Sequence, residues 1–437
     1  MCNVGTRWGW IWRWLYDLPR KHVSETERST VDTLVEKARS IRPVEAGLWL
    51  AVVVALAGIV SVSLAPMDDF NNVYGALRRF VLGHDVYTED YSTTDPHYLY
   101  SPAATVLLSP AAWIANYEVA HKVFSLVNGV AAVASVTIIS RRAGLRGWGV
   151  PAASIVALMS PAFSSSIKLG NVNCLLLLVF VLFFDMLCRN RQIISGVLLG
   201  IVVVVKPMFA PIIVIALVAK YWKSVAVALV TYVSAAGIGR IFVSDSGAYR
   251  EVVVPYVSIP RPYYNSALRG LAADFGWSGA KTAILMAAIA VAFLASVVVS
   301  YALWKANRLD WVIVMSAVTL AGVWLLSPLG QGYYSVFLTP VLFVAGRLYS
   351  PTHSALGACA FAGCFFPTNF GSYEANMLIA TLVWTLFIAG SIASMGRFSY
   401  RRPMQEGSRG RHRAEAPPVS GVRRKASIQG VRAMTSP

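Results

Sequence analysis

Residues 47–70 read GLWLAVVVALAGIVSVSLAPMDDF. The run carries no charge until it ends on Asp68 and Asp69. About 20 apolar residues in a helix cross the hydrocarbon core of a bilayer, so a first membrane span is predicted over residues 44–64. An aspartate at a membrane boundary costs desolvation free energy unless it faces water or a partner. Two of them directly after a span are therefore either the start of a solvated loop or a working pair. In the second case the task that suits a carboxylate is general-base catalysis.

The whole chain has the same character. Of its 437 residues, 56% are hydrophobic and only 14% are charged, with a mean hydropathy of +0.58. Soluble domains carry about 25% charged residues. The net charge of +17 would suggest nucleic acid in a soluble protein. Here much of the excess lies in residues 397–432, a stretch rich in Arg, Pro, Ser and Gly without apolar periodicity. It reads as a disordered basic tail at the surface of anionic membrane lipid, not as a nucleic-acid arm. The five cysteines, Cys2, Cys174, Cys188, Cys359 and Cys364, form no CxxC pair, which argues against structural zinc or a disulfide framework. Charged and polar residues interrupt the first forty positions throughout, so no cleaved signal is expected and the first span would act as an anchor. The Trp-rich residues 8–16 suit a membrane surface.

Working outward from the first span, residues 66–100 form a polar stretch holding Asp68, Asp69, Asp85, Glu89, Asp90, Asp95, His84 and His97. Residues 101–117 are short and carry two prolines, and read as a re-entrant or surface-lying helix. Further spans are predicted near 119–140, 148–163, 172–188, 193–205, 208–220, 223–243, 281–304, 311–327, 333–347, 354–368 and 376–395, about twelve in all. The implied divisions are a cytoplasmic segment 1–43, a transmembrane unit 44–396 and the tail 397–437. Lys and Arg concentrate in cytoplasmic loops. With the amino terminus inside, the clusters Arg141/Arg142/Arg146, Arg189/Arg191, Lys220/Lys223, Lys305/Arg308 and Arg347 all fall inside. Asp68 and Asp69, residues 170–173, Lys206-Pro207, residues 245–278 and residues 327–335 then fall outside.

This outward set holds the candidate chemistry. Lys206, in VVVVKPMFAP, sits where an embedded lysine costs free energy unless it snorkels or meets an anion. Pro207 breaks the helix beside it. A phosphate contact is the functional reading. Residues 245–278 supply Arg250, Arg261 and Arg269 among Tyr256, Tyr263, Tyr264 and Asn265. Arginine suits phosphate, and tyrosine suits sugars as well as membrane interfaces. Arg240, near the outer end of its span, is weighed like Lys206. Asn171, Asn173, Gln331, Tyr333 and Tyr334 interrupt apolar segments, as substrate contacts or as bonds between helices. His84 and His97 lack metal-ligand spacing. No phosphate-binding glycine loop, dinucleotide fingerprint or serine-nucleophile motif occurs. A sugar donor would therefore arrive through the membrane. A transporter would call for paired charges near the bilayer midplane and inverted repeats, and neither is visible.

Residues 68–102, DDFNNVYGALRRFVLGHDVYTEDYSTTDPHYLYSP, strongly resemble the first outer loop of family 87 glycosyltransferases of the GT-C fold. Lys206-Pro207, Tyr264-Asn265-Ser266 and Gln331-Gly332-Tyr333-Tyr334-Ser335 match in order. The resemblance implies an all-α GT-C bundle with an external juxtamembrane helix in the first loop. It implies a decaprenyl-phosphate-linked donor, decaprenylphosphoryl-arabinofuranose, and an arabinan or galactan acceptor outside the membrane. It implies a catalytic aspartate, Asp69 or Asp68, and an inverting transfer to the 3-OH of arabinan. Donor phosphate would meet Lys206 with Arg261 or Arg240. Sugar contacts would come from His97, Tyr98, Asn171, Asn173, Tyr264, Asn265, Gln331, Tyr333 and Tyr334. No cofactor is called for, and a divalent metal is left open. Ser101 stands where relatives usually have proline. Mannosyltransferases of the family carry Asp-His-His where this chain has Gln331-Gly332-Tyr333, which weakens mannose as the runner-up sugar.

Overall fold

The computed structural model of the chain describes residues 25–62, 69–93, 95–262, 264–365 and 372–414, with side chains between residues 43 and 400 of these. Asp68, Tyr263 and residues 8–16 lie outside them. Among the described residues every regular element is a helix. In order these are α1 Glu25–Ser61, α2 Asp69–Val81, α3 Pro102–Leu108, α4 Tyr117–Arg142, α5 Gly149–Met159, α6 Pro161–Lys168, α7 Asn173–Cys188, α8 Gln192–Val205, α9 Pro211–Val218 and α10 Trp222–Phe242. There follow α11 Val254–Ser258, α12 Leu268–Asp274, α13 Gly279–Val299, α14 Tyr301–Ala306, α15 Arg308–Leu326, α16 Ala355–Phe365 and α17 Tyr373–Ala414. A tight 3-10 segment, Gly332–Val344, precedes α16.

Among the described residues six helices are long and apolar enough to cross a membrane, and the pair α5–α6, bent by 66°, makes a seventh if it counts as one span. The chain is a multi-pass membrane protein. The remaining expected spans, α7, α8, Pro207–Val218, Gly332–Val344 and α16, are shorter apolar helices of 10–17 residues. The count of about twelve therefore does not emerge from helix length alone. Proline accounts for part of the shortening, since Pro161 opens α6 after Ser160 and Pro207 ends α8. A proline lacks the N–H that would continue the ladder.

Helix burial decides the layering. Of the most apolar window of α15, 83% is buried, against 11% for α1 and for α13–α14. The central helix is thus apolar on all sides and packed by protein, while the outer ones present apolar faces to lipid. Small residues set the closest approaches. A Cβ on Gly196 would fall 2.5 Å from the Ser224 carbonyl oxygen, and one on Gly200 would fall 2.6 Å from Thr231 Cβ, so α8 and α10 touch backbone to backbone. At the other end of α10, Gly239 lies against the Pro102–Ala103 backbone and seats α3.

The edges of the bundle hold one correction, at the basic tail. The polar stretch 66–100 contains a helix, α2, whose Phe70, Val73, Tyr74 and Leu77 fall on one buried face at i, i+3, i+4 and i+7 spacing. The basic tail does not begin as irregular chain at 397, because α17 continues to Ala414. Residues 397–402 hold neither proline nor glycine, so nothing at 397 stops the ladder. Residues 415–437 lie outside the described residues. Residues 101–117 do not span: α3 is seven residues long and is followed by a four-residue turn, Ser109–Ala112. The Tyr74 hydroxyl, 2.9 Å and 2.8 Å from the carbonyl oxygens of Ile114 and Ala115, ties α2 onto this segment.

The two ends of the bundle differ. At one end of α7 is Asn173; twelve residues on, roughly 18 Å along a helix, Asp185 is buried. It accepts bonds from Arg142 Nε and Arg189 Nε, each at 2.7 Å. Asp185→Ala would leave two guanidinium groups without their carboxylate. Both are partly exposed, so the expected loss is about 1–3 kcal/mol, below that of a fully buried pair. Thermal denaturation in detergent reads it as a lowered midpoint, partly recovered in Asp185→Asn.

Candidate active site

The site is built where α6 ends and α7 begins. The carbonyl of Ser166 accepts from the Asn171 N–H at 3.0 Å and that of Ile167 from the Gly170 N–H at 3.1 Å. This closes α6 through a left-handed residue, Gly170, with φ of +60°. A Cβ there would lie 2.5 Å from Phe70 Cβ and 3.1 Å from the His121 ring. Only glycine allows α2 to start this close. The Phe70 N–H donates to the Leu169 carbonyl at 3.1 Å, and the Phe70 ring stacks on His121 with centroids 5.1 Å apart. The first residue of α2, Asp69, is thereby set beside the turn.

Asp69 Oδ2 accepts from Asn171 Nδ2 at 2.7 Å and from the Tyr333 hydroxyl at 2.9 Å. Oδ1 receives no hydrogen bond from the described residues. Asn171 Oδ1 in turn accepts the Asn173 N–H at 3.0 Å. Asn173 is fully buried, and its Oδ1 accepts from Lys206 Nζ at 2.6 Å. Lys206 Nζ also lies 4.4 Å above the Tyr334 ring, and Asp69 is within electrostatic range of it. One tetrapeptide, Gly170-Asn171-Val172-Asn173, thus holds a carboxylate at one amide and an ammonium at the other. Lys206 is where the proline-broken helix leaves the α-helical path, with an extended backbone.

A second layer stitches the loops over this turn. Glu89 accepts from Arg79 Nη2 at 2.8 Å and from the Tyr98 N–H at 2.8 Å, and lies 3.3 Å from His97 Nδ1. The Tyr87 N–H donates to Asp245 Oδ2 at 2.7 Å. The Tyr256 hydroxyl donates to the Asp95 carbonyl and accepts from Arg261, whose guanidinium lies 4.3 Å over the Tyr256 ring. Burial holds the Tyr256 hydroxyl above its ordinary pKa against the pull of Arg261. Burial also raises the Tyr87 and Tyr91 hydroxyls well above the tyrosine range. They act as neutral donors, to the Tyr100 and Tyr98 carbonyls, each at 2.8 Å.

The structure therefore gathers Asp69, Asn171, Asn173, Lys206, Tyr333 and Tyr334, with Arg261 in electrostatic range of Tyr334. Other candidates stand elsewhere or are occupied. Tyr98 is fully buried and bonded to Thr105 at 2.9 Å. His97 is enclosed by Tyr91 and Tyr256. Asn265 is buried with its amide spent on backbone: it donates to the Arg261 and Pro328 carbonyls and accepts from Ala267 and Gly330. Tyr264 is exposed beside Tyr373, and Arg240 is exposed near the end of α10. Gln331 is half-buried, and among the described residues only its backbone carbonyl is bonded, by the Tyr334 N–H. Tyr100, within electrostatic range of Asp69 and Tyr334, joins the site without having been singled out. It lies within the stretch 68–102 that carries the family resemblance, so its signal was present. Gly170 lay in the outward stretch 170–173, but its fit against Phe70, like that of His121, gave no signal. Among the described residues no three His, Cys, Asp or Glu side chains come together to hold a metal.

The model of glycosyltransferase family 87 matches residues 98–328. The chain is also 30% identical over 340 residues to an α-(1→3)-arabinofuranosyltransferase of Corynebacterium glutamicum, covering 76% of this chain and 80% of that protein. This chain belongs to glycosyltransferase family 87. Enzymes of the same description from Mycobacterium tuberculosis and Mycolicibacterium smegmatis are 30% identical over 290 and 300 residues, covering 63% of this chain and 65% of each relative. As a family 87 glycosyltransferase the chain is a membrane enzyme that joins sugars, and the Asp69–Lys206 cluster is the candidate place for that chemistry.

Gly170→Ala combines backbone strain with a clash against Phe70, whereas Gly276, with φ of +61°, has open space around its missing Cβ. Gly276→Ala is expected to cost about 1–2 kcal/mol of strain and to keep transfer activity. Gly170→Ala is expected to lower the denaturation midpoint further and to reduce sugar transfer. Equal behaviour of the two would remove the close approach of α2 as a requirement.

Proposed function

We propose that the chain transfers arabinofuranose from decaprenylphosphoryl-arabinofuranose to the 3-OH of an arabinan acceptor, with inversion, at the extracytoplasmic face of the plasma membrane. The observation that carries this reading is the single turn joining Asp69 to Lys206 through Asn171 and Asn173. A base for a hydroxyl and a cation for a phosphate are what this displacement requires, and they stand at one end of the bundle. The arabinofuranosyltransferase relatives support the sugar and the linkage. The apolar, all-helical make-up of the described residues supports a donor carried in the membrane.

In the mechanism, Asp69 removes the proton from the acceptor hydroxyl. Asn171 and Tyr333 both bond Oδ2 and orient the carboxylate, so Oδ1 is the oxygen that takes the proton. The hydroxyl oxygen bonds to the anomeric carbon as the bond from that carbon to the phosphate oxygen breaks. Lipid phosphate leaves with the electron pair, and Lys206, with Arg261 beyond Tyr334, stabilises its charge. Phosphate needs no separate general acid. Positioning and electrostatics carry the rate, and the reading assigns no step to a cofactor. In the same reading the short apolar helices complete a GT-C bundle, both termini are cytoplasmic, and the Arg142–Asp185–Arg189 end faces the cytoplasm. Asp68, adjoining the base, is given the acceptor-side sugar.

Asp69→Asn is expected to lower kcat by about 10²–10⁴-fold, the range for loss of a general base, with the KM for the lipid donor little changed. Lys206→Ala is expected to raise the donor KM. Assays in membranes with labelled arabinose and mannose lipid donors check both. Near-normal transfer by Asp69→Asn, or a preference for mannose, would remove the base or the sugar. Sidedness is read separately. A cysteine at exposed position 264 should react with a membrane-impermeant maleimide added outside intact cells, and one at position 220 should not.

A further inference from the structure

Resting on that reading, we infer that the Asn173 side chain belongs to the phosphate and not to the sugar: its Nδ2 group is a second donor to the departing lipid phosphate, aimed by Lys206. Asn173 is fully buried, yet its Nδ2 has no hydrogen-bond partner among the described residues. An unpaired donor at such a position costs desolvation free energy that native proteins rarely leave uncompensated. The orientation of the amide is not ambiguous. An ammonium has only protons to give, so the atom 2.6 Å from Lys206 Nζ is Oδ1, and the NH2 group is turned away from the lysine with its hydrogens unspent. The backbone N–H of the same residue is already held by Asn171 Oδ1.

The surroundings select an anion. Lys206 touches the neutral Asn173 carbonyl and the Tyr334 ring, and no described carboxylate pairs with it. Asn173 opens the 16-residue helix α7, whose positive dipole end lies at this turn. A lysine bonded to an amide oxygen also pulls electron density toward that oxygen, which makes the amide N–H groups better donors. Lys206 thus contributes its charge directly and its hydrogen bond indirectly. Asn171, one turn position away, serves the carboxylate in the same manner. The tetrapeptide sets the distance between base and leaving group, since both amides are fixed to one backbone.

Farnesyl phosphate, a short prenyl phosphate, is the probe, used as inhibitor of the full-length enzyme in detergent. Asn173→Ala is expected to raise its inhibition constant and the donor KM by about ten- to a hundredfold, the worth of a hydrogen bond to a charged group. The acceptor KM should stay near that of wild type. Asn173→Asp keeps the shape and the oxygen facing Lys206 but replaces the donor with a negative oxygen, and should weaken inhibition further. Should Asn173→Ala fail to fold, the isosteric Asn173→Asp variant still reads the site: farnesyl phosphate should raise the denaturation midpoint of wild type and not that of Asn173→Asp. Folded variants with unchanged farnesyl phosphate inhibition, or with only the acceptor KM raised, would overturn the assignment. Lys206→Ala separates the two levels. If it weakens farnesyl phosphate binding while the Asn173 variants do not, the inference alone fails. If neither does, the phosphate site itself is misplaced.

Discussion

The hydrogen bonds that Asn171 and Tyr333 give to Asp69 are the constraint on which the site depends. A carboxylate at the edge of a membrane protein is tolerable when water or fixed donors replace its hydration. Here the donors come from two segments far apart in sequence, residues 171 and 333. Each is immobilised by something else: Asn171 by the helix-ending turn at Gly170, Tyr333 by the 3-10 segment that packs toward the buried α15. Asp69 can therefore hold one geometry without being neutralised by a basic partner, which is the condition for a base that must accept a proton.

Charge is distributed by the same logic at both ends of α7. Near Asn173 the charged groups, Asp69 and Lys206, are separated by amides and aromatic rings. Near Asp185 opposite charges close directly on one another. A closed ion pair is chemically silent, while charges bridged by neutral amides remain available to a substrate. The Glu89, Asp95, Tyr256 and Arg261 contacts lie between these extremes. They fix the long loops to one another and hold the Arg261 guanidinium on the Tyr256 face.

Much of the fold was legible along the chain because lipid makes composition decisive. A helix is the only way for a single apolar segment to satisfy its backbone in hydrocarbon, so the apolar runs announced an all-helical membrane protein. The proline at 207 and the lysine before it, embedded in an apolar run, marked a break, and the break is there. A helix in the first loop was implied only by the resemblance, because the polar face of α2 dominates the composition of residues 66–100 and masks the period of Phe70, Val73, Tyr74 and Leu77. The number of crossings was not legible, since helices such as α8, with 14 residues, fall between a span and a buried core segment.

The sequence by itself determined the class of protein, the kind of residue at each polar position and, through the ordered motifs, the family. It could name Asp69, Asn171, Asn173, Lys206 and Tyr333 as polar residues in an apolar chain. Only the tertiary structure decided which of them meet, and that Tyr98 bonds α3 while His97 and Asn265 spend their polar atoms on the loops. The reason is that a hydrogen bond is specified to a few tenths of an ångström and by direction. Helix ends 100 residues apart are brought to that precision by packing, as Gly170 against Phe70 shows, and not by any pattern local to the chain.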